Sequence, residues 1–275
     1  MVPSNDRGAS ILNVLIDTHA HLDQVQDLES ALDRARAVGV VGIVAVGTDA
    51  ASNEKTLQLS EKWRGYVYPA VGVHPCQLAE LDAPGVEREL RLVEEALPGA
   101  CAVGEIGLDY HKRTLAGVPR ELQQDVFSRL LALAKSSGRP VLVHSRYAWS
   151  DALRLVLESG VRDAVFHWFT GFSGALRGIM DAGFYVSATP ATEYHEEHRR
   201  AVGSVPVGRL LLETDAPVWY GRATRYESSP ADVTRSLKAA AELRGESEMQ
   251  LAAATTEAAR RLLGCAFLPQ REEVS

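Results

Sequence analysis

Short, nearly continuous apolar runs rich in Val, Ile and Leu recur along this chain, and between them apolar residues return every three or four positions. The first pattern belongs to strands buried on both faces, the second to helices with one buried side. Strands are predicted at 13–17, 40–46, 67–73, 101–105, 141–144, 164–167, 185–188 and 209–213. Helices are predicted between them at 27–38, 52–63, 86–96, 119–137, 150–158 and 174–182, then at 230–244 and 248–263. The clearest is 119–137, where Leu122, Val126, Leu130, Leu133 and Ala134 share one face and Gly138 then Pro140 stop the helix.

Strand and helix alternating from end to end make βαβ units on a parallel sheet, which is either doubly wound or closed. The expected fold is the closed form, an α/β (β/α)₈ TIM barrel. Its usual size of about 250 residues fits a chain of 275. Since no repeat, low-complexity tract or Pro/Gly/Ser-rich linker divides the sequence, residues 1–275 are expected to form a single domain.

Composition narrows the class. Hydrophobic residues at 46% and charged residues at 24% describe an ordinary globular protein and exclude a disordered chain. A formal charge of −7 has the wrong sign for broad attraction to nucleic acid, so a phosphate-bearing substrate would have to be captured locally. Cys76, Cys101 and Cys265 form neither a CxxC pair nor a disulfide framework. The first ten residues lack the apolar core of a signal peptide, and no apolar run is long enough to span a membrane. A cytoplasmic protein without membrane contact is expected, with a monomer as the expected assembly.

Against that apolar background, the residues able to do chemistry gather at the carboxyl ends of the predicted strands. Strand one ends in Asp17-Thr-His19-Ala-His21, strand three in Gly72-Val-His74-Pro75 and strand four in Gly104-Glu105-Ile-Gly-Leu-Asp109. Strand five ends in His144-Ser145-Arg146, strand six in His167-Trp168 and strand eight in Glu213-Thr-Asp215-Ala-Pro217. A barrel brings such ends together on one face, where its active sites lie. His19 and His21, two apart on an extended segment, point the same way and can grip one ion. Imidazole with carboxylate suits divalent Zn, Mn or Mg.

Other motifs carry less. His195-Glu-Glu-His198 has its histidines three apart, whereas a zincin helix needs four, and it reads as a solvated helix start. Ser145 lies outside any nucleophile elbow. There is no glycine-rich dinucleotide or Walker-type loop, so no nucleotide cofactor is expected.

In order along the chain, Asp17-Thr-His-Ala-His-Leu-Asp23, Gly72-Val-His-Pro75, Gly104-Glu-Ile-Gly-Leu-Asp-Tyr110, Val143-His-Ser-Arg146, Phe169-Thr-Gly171 and Leu212-Glu-Thr-Asp-Ala-Pro217 resemble the landmarks of TatD-type metal-dependent hydrolases of the amidohydrolase superfamily. The resemblance spans roughly 16–264. It implies a (β/α)₈ barrel with two divalent metals and, in many members, DNase activity. Carried onto these residues, it implies that His19, His21 and Asp215 bind one metal, that His144 and His167 bind the other, and that Glu105 bridges them. His74 and Arg146 become candidates for holding a substrate phosphate. The chain departs from the family after Pro217, at Val218-Trp219 and Arg225-Tyr-Glu-Ser-Ser-Pro230, and at Thr256-Glu-Ala258. These changes bear on substrate choice.

The implied chemistry is phosphodiester hydrolysis. Two metals about 3.5–4 Å apart lower the pKa of a shared water and neutralise charge on a phosphoryl oxygen, a metal-bound hydroxide attacking. Asp215 is the expected proton acceptor, and Glu105 is expected to hold the metal spacing. DNA is the expected substrate, single-stranded ends favoured. Trp149, Trp168, Trp219, Tyr220 and Tyr226, interleaved with Lys112, Arg113, Arg146, Arg222 and Arg225, offer stacking and backbone contacts for it. An ester, lactone or amide hydrolase is the alternative, since the same hydroxide attacks a carbonyl and fold does not settle function. Without metal, Glu105 and Asp215, with Asp17 and Asp109 nearby in sequence, are expected to repel and raise at least one pKa.

Overall fold

The computed structural model describes residues 13–264, so the amino-terminal ten residues and Cys265 lie outside the described residues. Eight parallel strands follow one another in sequence order: β1 (Leu15–Ala20), β2 (Val40–Val46), β3 (Val67–Val71), β4 (Ala102–Asp109), β5 (Val141–Arg146), β6 (Ala164–Phe166), β7 (Tyr185–Ala188) and β8 (Leu210–Leu212). The helices are α1 (Leu28–Ala37), α2 (Ala50–Lys62), α3 (Ala83–Ala96), the short α4 (Lys112–Leu115), α5 (Arg120–Ser137), α6 (Trp149–Ser159), α7 (Ser173–Asp181), α8 (Glu196–Ser204), α9 (Val233–Arg244) and α10 (Glu248–Leu263). This is the expected TIM barrel. No helix among the described residues is long and apolar enough to cross a membrane.

Helix ends follow local chemistry. The Asp49 carboxylate accepts the Ser52 N–H and the Ser52 hydroxyl accepts the Asp49 N–H, a reciprocal cap on α2. Gly138 closes α5 at φ 66°, where a side chain would be strained.

Each strand sends a side chain into the barrel: Ile16, Val44, Tyr68, Ala102, Leu142, Val165, Tyr185 and Leu211 form one cluster, with Ala258, Ala259, Leu262 and Leu263 of α10 packed against it. That plug fills the amino-terminal end and leaves the carboxyl end for the polar residues. A second, larger apolar cluster fills the space between strands and helices.

The seam between β8 and β1 is joined by single bonds instead of a ladder. The Thr18 hydroxyl donates to Leu212 O (3.0 Å), the Asp215 N–H to His19 O (2.8 Å) and the His21 N–H to Ala216 O (2.8 Å). Buried Asp17 accepts from the Thr214 N–H (3.0 Å), the Thr214 hydroxyl (2.6 Å) and the His19 N–H (3.3 Å). Barrel closure therefore places His19 and His21 beside Asp215, some two hundred residues away in sequence.

Besides the short α4 and shifts at strand ends, three differences from the sequence reading bear on the site. β4 runs on to Asp109 because 106–109 pair with 143–146 after an irregularity in register. The segment after Pro217 folds into a hairpin, β9 (Trp219–Tyr220) against β10 (Tyr226–Glu227). Helix α8 was read only as a helix start at 195–198 and given no span, and its buried face consists of only His198, Ala201 and Val202.

Candidate metal centre

At the carboxyl end of the barrel lies a pocket of about 720 Å³, lined by His21, His74, Glu105, His144, His167 and Asp215 together with loop residues. Buried His19 stands directly behind it, its ring stacked 4.1 Å from that of His167. All eight residues singled out from the sequence meet here, with Arg146 on the pocket wall.

Glu105 occupies the middle. Its Oε2 faces His21 Nε2 at 3.5 Å and His19 Nε2 at 3.6 Å, and the same two nitrogens lie 3.4 and 3.6 Å from Asp215 Oδ1. Its Oε1 faces His167 Nε2 at 2.7 Å, His144 Nδ1 at 2.8 Å and His74 Nε2 at 3.8 Å. One carboxylate thus divides two sets of imidazoles.

Backbone contacts hold that position. The Glu105 N–H donates to Gly47 O at 3.0 Å. Beyond it, Gly107 has φ 149°, and a Cβ there would come within 2.0 Å of His144 O, so only glycine lets β4 pass so close to β5. Asp215 has φ 50° and Trp168 φ 39°, left-handed backbone that ordinary residues adopt at a cost and that clusters at functional sites.

The rings differ in which nitrogen is committed. His21 Nδ1 donates to Val46 O at 3.0 Å, which leaves Nε2 as the nitrogen that faces Glu105 and Asp215. His74 Nδ1 instead accepts the Cys76 N–H at 3.1 Å, so the neutral ring carries its proton on Nε2 as a donor. Burial pushes His74 down to about 3, which keeps that ring neutral. His21 has the hydrogen bonding of a metal ligand and His74 that of a donor toward an anion.

Electrostatics point the same way. Burial alone would raise Glu105, yet the charge of His167 and the hydrogen bonds from His144 and His167 hold it well below the usual carboxylate range. Asp215 is lowered against burial by the hydrogen bond and charge of His21. Burial opposes protonation of His21 and His167, but Asp215 raises the first to about 9 and Glu105 raises the second well above its ordinary value. The expected repulsion between carboxylates is corrected: imidazoles surround both acids. Of the four acids named, the one that rises is Asp17, mainly through burial.

Such a field calls for positive charge. Both ring nitrogens of His19, Nε2 of His144 and Nδ1 of His167 are buried without a hydrogen-bond partner. Among the described residues, three groups place ligand atoms within reach of a single ion: His19, His21 and Asp215; His74, Glu105 and His144; and His19, His167 and Glu213. Nitrogen and carboxylate donors at this spacing fit divalent cations.

The sequence profile of the family described as TatD related DNase matches residues 16–264. The chain belongs to the TatD-related DNase family. It is 33% identical over 264 residues to human deoxyribonuclease TATDN3, covering 90% of this chain and 94% of the relative. To the 3'-5' ssDNA/RNA exonuclease TatD of Pantoea ananatis it is 32% identical, over 86% of this chain and 94% of that protein. Among solved structures, YJJV, a TatD homologue from Escherichia coli, superposes with a TM-score of 0.81 at 29% identity, covering 90% of this chain and 97% of that one. The family resemblance read from the motifs is borne out.

Two acids that the sequence reading left without a role stand behind the TatD-family site. Buried Glu213 accepts the Trp168 N–H at 3.0 Å and lies 3.5 Å from His167 Nδ1. Asp109 lies 3.6 Å from His144 Nε2 and is held at about 2, its burial outweighed by the nearby His144 imidazole and the hydrogen bond from the His111 N–H. The signal for both was a second acid near a ligand acid at a strand end, Glu213 two before Asp215 and Asp109 four after Glu105, which names the acids but not the imidazoles they face. Of the aromatic residues proposed for stacking, Tyr220 is fully buried, its hydroxyl donating to Thr214 O at 2.9 Å. It belongs to the core.

His198 is not solvated as expected but fully buried. Its Nε2 accepts the Thr189 N–H (3.1 Å) and its Nδ1 donates to Phe169 O (3.0 Å), which together demand the neutral ring. Burial pushes it from 6.5 to about 4. Because the unfolded chain takes up this proton first, His198 favours folding fully above about pH 6.5 and progressively loses that contribution down to pH 4. The difference corresponds to about 3 kcal/mol. His198→Gln should flatten this part of the pH dependence of urea-unfolding free energy. An acid limb as steep as that of the wild type would show that the ring does not titrate as argued.

Proposed function

We propose that this chain is a divalent-metal-dependent deoxyribonuclease that hydrolyses phosphodiester bonds, preferentially at single-stranded ends, as a cytoplasmic monomer. The observation that carries this reading is Glu105 standing between two sets of imidazoles at the floor of an open pocket. Free Cys76 and Cys101 accord with a reducing compartment.

His19, His21 and Asp215 would hold one ion, His144 and His167 a second, and Glu105 would reach both. Bound there, two divalent cations supply Lewis acidity toward a water and toward a phosphoryl oxygen. Asp215, ionised and at the pocket face, takes the proton from the attacking water. The His74 Nε2–H and the Arg146 guanidinium hold the non-bridging oxygens of the phosphate. Glu213 and Asp109 orient His167 and His144.

Digestion of oligonucleotides after chelation and re-addition of Mg²⁺, Mn²⁺ or Zn²⁺ tests this, with an ester and lactone panel alongside. Metal should restore cleavage, faster on single-stranded ends than on blunt duplex, since a pocket at the barrel mouth admits a strand end more easily than a stacked helix. Equal rates on closed circular duplex and single strands would remove the end preference. Turnover confined to the esters would remove the nuclease.

A further inference from the structure

Next to the pocket wall an aromatic series runs outward: His111 stacks on Tyr147 (6.0 Å, 23°), Tyr147 meets Trp149 edge-on (5.8 Å), and Trp149 meets Phe172 (6.4 Å). Tyr147 and Trp149 line the same pocket as Glu105 and His144. Within the series Trp149 is half-buried, whereas Tyr147 is 59% exposed and Phe172 51%. We propose that Tyr147 is a stacking platform for an unpaired nucleobase of the substrate strand, and that this contact makes the site prefer single strands. The inference rests on the nucleic-acid reading above and specifies which residue reads the strand.

Three further observations support the platform. Tyr147 sits at φ 56°, a left-handed backbone that a bulky side chain seldom adopts, and its ring stands out into solvent. Such a large exposed ring at the edge of a polar pocket is not explained by core packing. Cationic groups flank it: the Arg146 guanidinium lies 5.9 Å from the ring centroid, and exposed Lys112 and Arg113 follow directly on His111. An aromatic face beside basic groups is the arrangement that holds single strands, the ring taking the base and the cations the backbone. The wall adds donors to this, since the Ser145 hydroxyl and the Trp149 indole N–H are buried without partners. In a duplex the bases are already stacked on one another, so only an unpaired base can use Tyr147.

The test is an abasic scan. Metal-loaded wild type, Tyr147→Ala and Tyr147→Phe are assayed on a short single-stranded oligonucleotide and on copies carrying one abasic residue at each position in turn. One stacked base is worth roughly 5- to 150-fold in affinity. The wild type should lose about that factor in KM at one position only. Tyr147→Ala should raise KM on the intact strand by a comparable factor and lose the abasic penalty, while Tyr147→Phe should retain both. The effect should fall on KM and not on kcat. An unchanged KM in Tyr147→Ala, or an abasic penalty as large as that of the wild type, overturns the platform and leaves the nuclease standing. A wild type that cleaves neither the oligonucleotides nor bis(p-nitrophenyl) phosphate overturns the nuclease reading and the platform with it.

Discussion

Asp215→Asn should lower kcat by about three orders of magnitude while leaving a folded barrel, within the range of about 10²–10⁴ that a positioned acid or base contributes. The substitution keeps the size of the side chain, and asparagine accepts the left-handed backbone at this position, φ 50°. The seam survives, because the bond that closes it here is donated by the Asp215 N–H to His19 O and not by the side chain. What is lost is a carboxylate 3.4 Å from His21 Nε2 and 3.6 Å from His19 Nε2, one that stays ionised against burial. Two effects then add: weaker metal binding at the His19–His21 side and no acceptor for the proton of water. A metal titration separates them, since excess Mg²⁺ or Mn²⁺ restores occupancy but not the base. If excess metal brings kcat back to within about tenfold of the wild type, Asp215 is only a ligand and another group takes the proton.

Much of this site was visible before folding because it breaks a pattern. In runs of Val, Ile and Leu, a terminal His144 or His167 stands out, and the parallel-strand rule carries such residues to one face. What stayed hidden depends on contacts between distant segments. Nothing local in the sequence tells that Oε1 and Oε2 of Glu105 face different imidazoles, or that Asp17 clamps Thr214 across the seam. Counting acids near one another suggested repulsion, whereas the three-dimensional count of histidines reverses the sign. Helix α8 escaped because its buried face is short and one of its members is a histidine, which carries almost no weight in a hydrophobic pattern. Tyr147 escaped for the opposite reason: in a loop, an exposed aromatic residue looks like any other until its neighbours in space are known.

Glu105→Gln should remove the metal response of the protein, and the structure changes what is expected of the metal-free state. Mutual repulsion of acids would leave the metal-free variant as stable as the wild type. Instead Glu105 is buried and takes the hydrogen bonds of His144 and His167, so the amide leaves buried imidazolium groups without a counter-charge. Breaking a buried pair from one side costs about 3–5 kcal/mol, and each kcal/mol moves Tm by roughly 2–4 °C in a chain of this size. The sign with pH follows from the directions. His21, His144 and His167 are raised, His21 to about 9, so the stability they draw from the carboxylates is complete below their ordinary 6.5 and is lost as pH climbs through their raised values. Glu105 is lowered, so its share is present above the ordinary carboxylate value of 4.5 and lost only in stronger acid. In chelator, wild type should therefore outmelt Glu105→Gln most clearly near pH 6, the gap narrowing toward pH 9.5. Metal at a hundred times its dissociation constant stabilises the native state by about 2.7 kcal/mol per site. A neutral amide reaching toward two cations would forfeit most of that rise, and with it turnover. Equal metal-free melting temperatures at pH 6 would mean that these histidines are neutral, and an undiminished metal-induced rise would take Glu105 out of the ligand set.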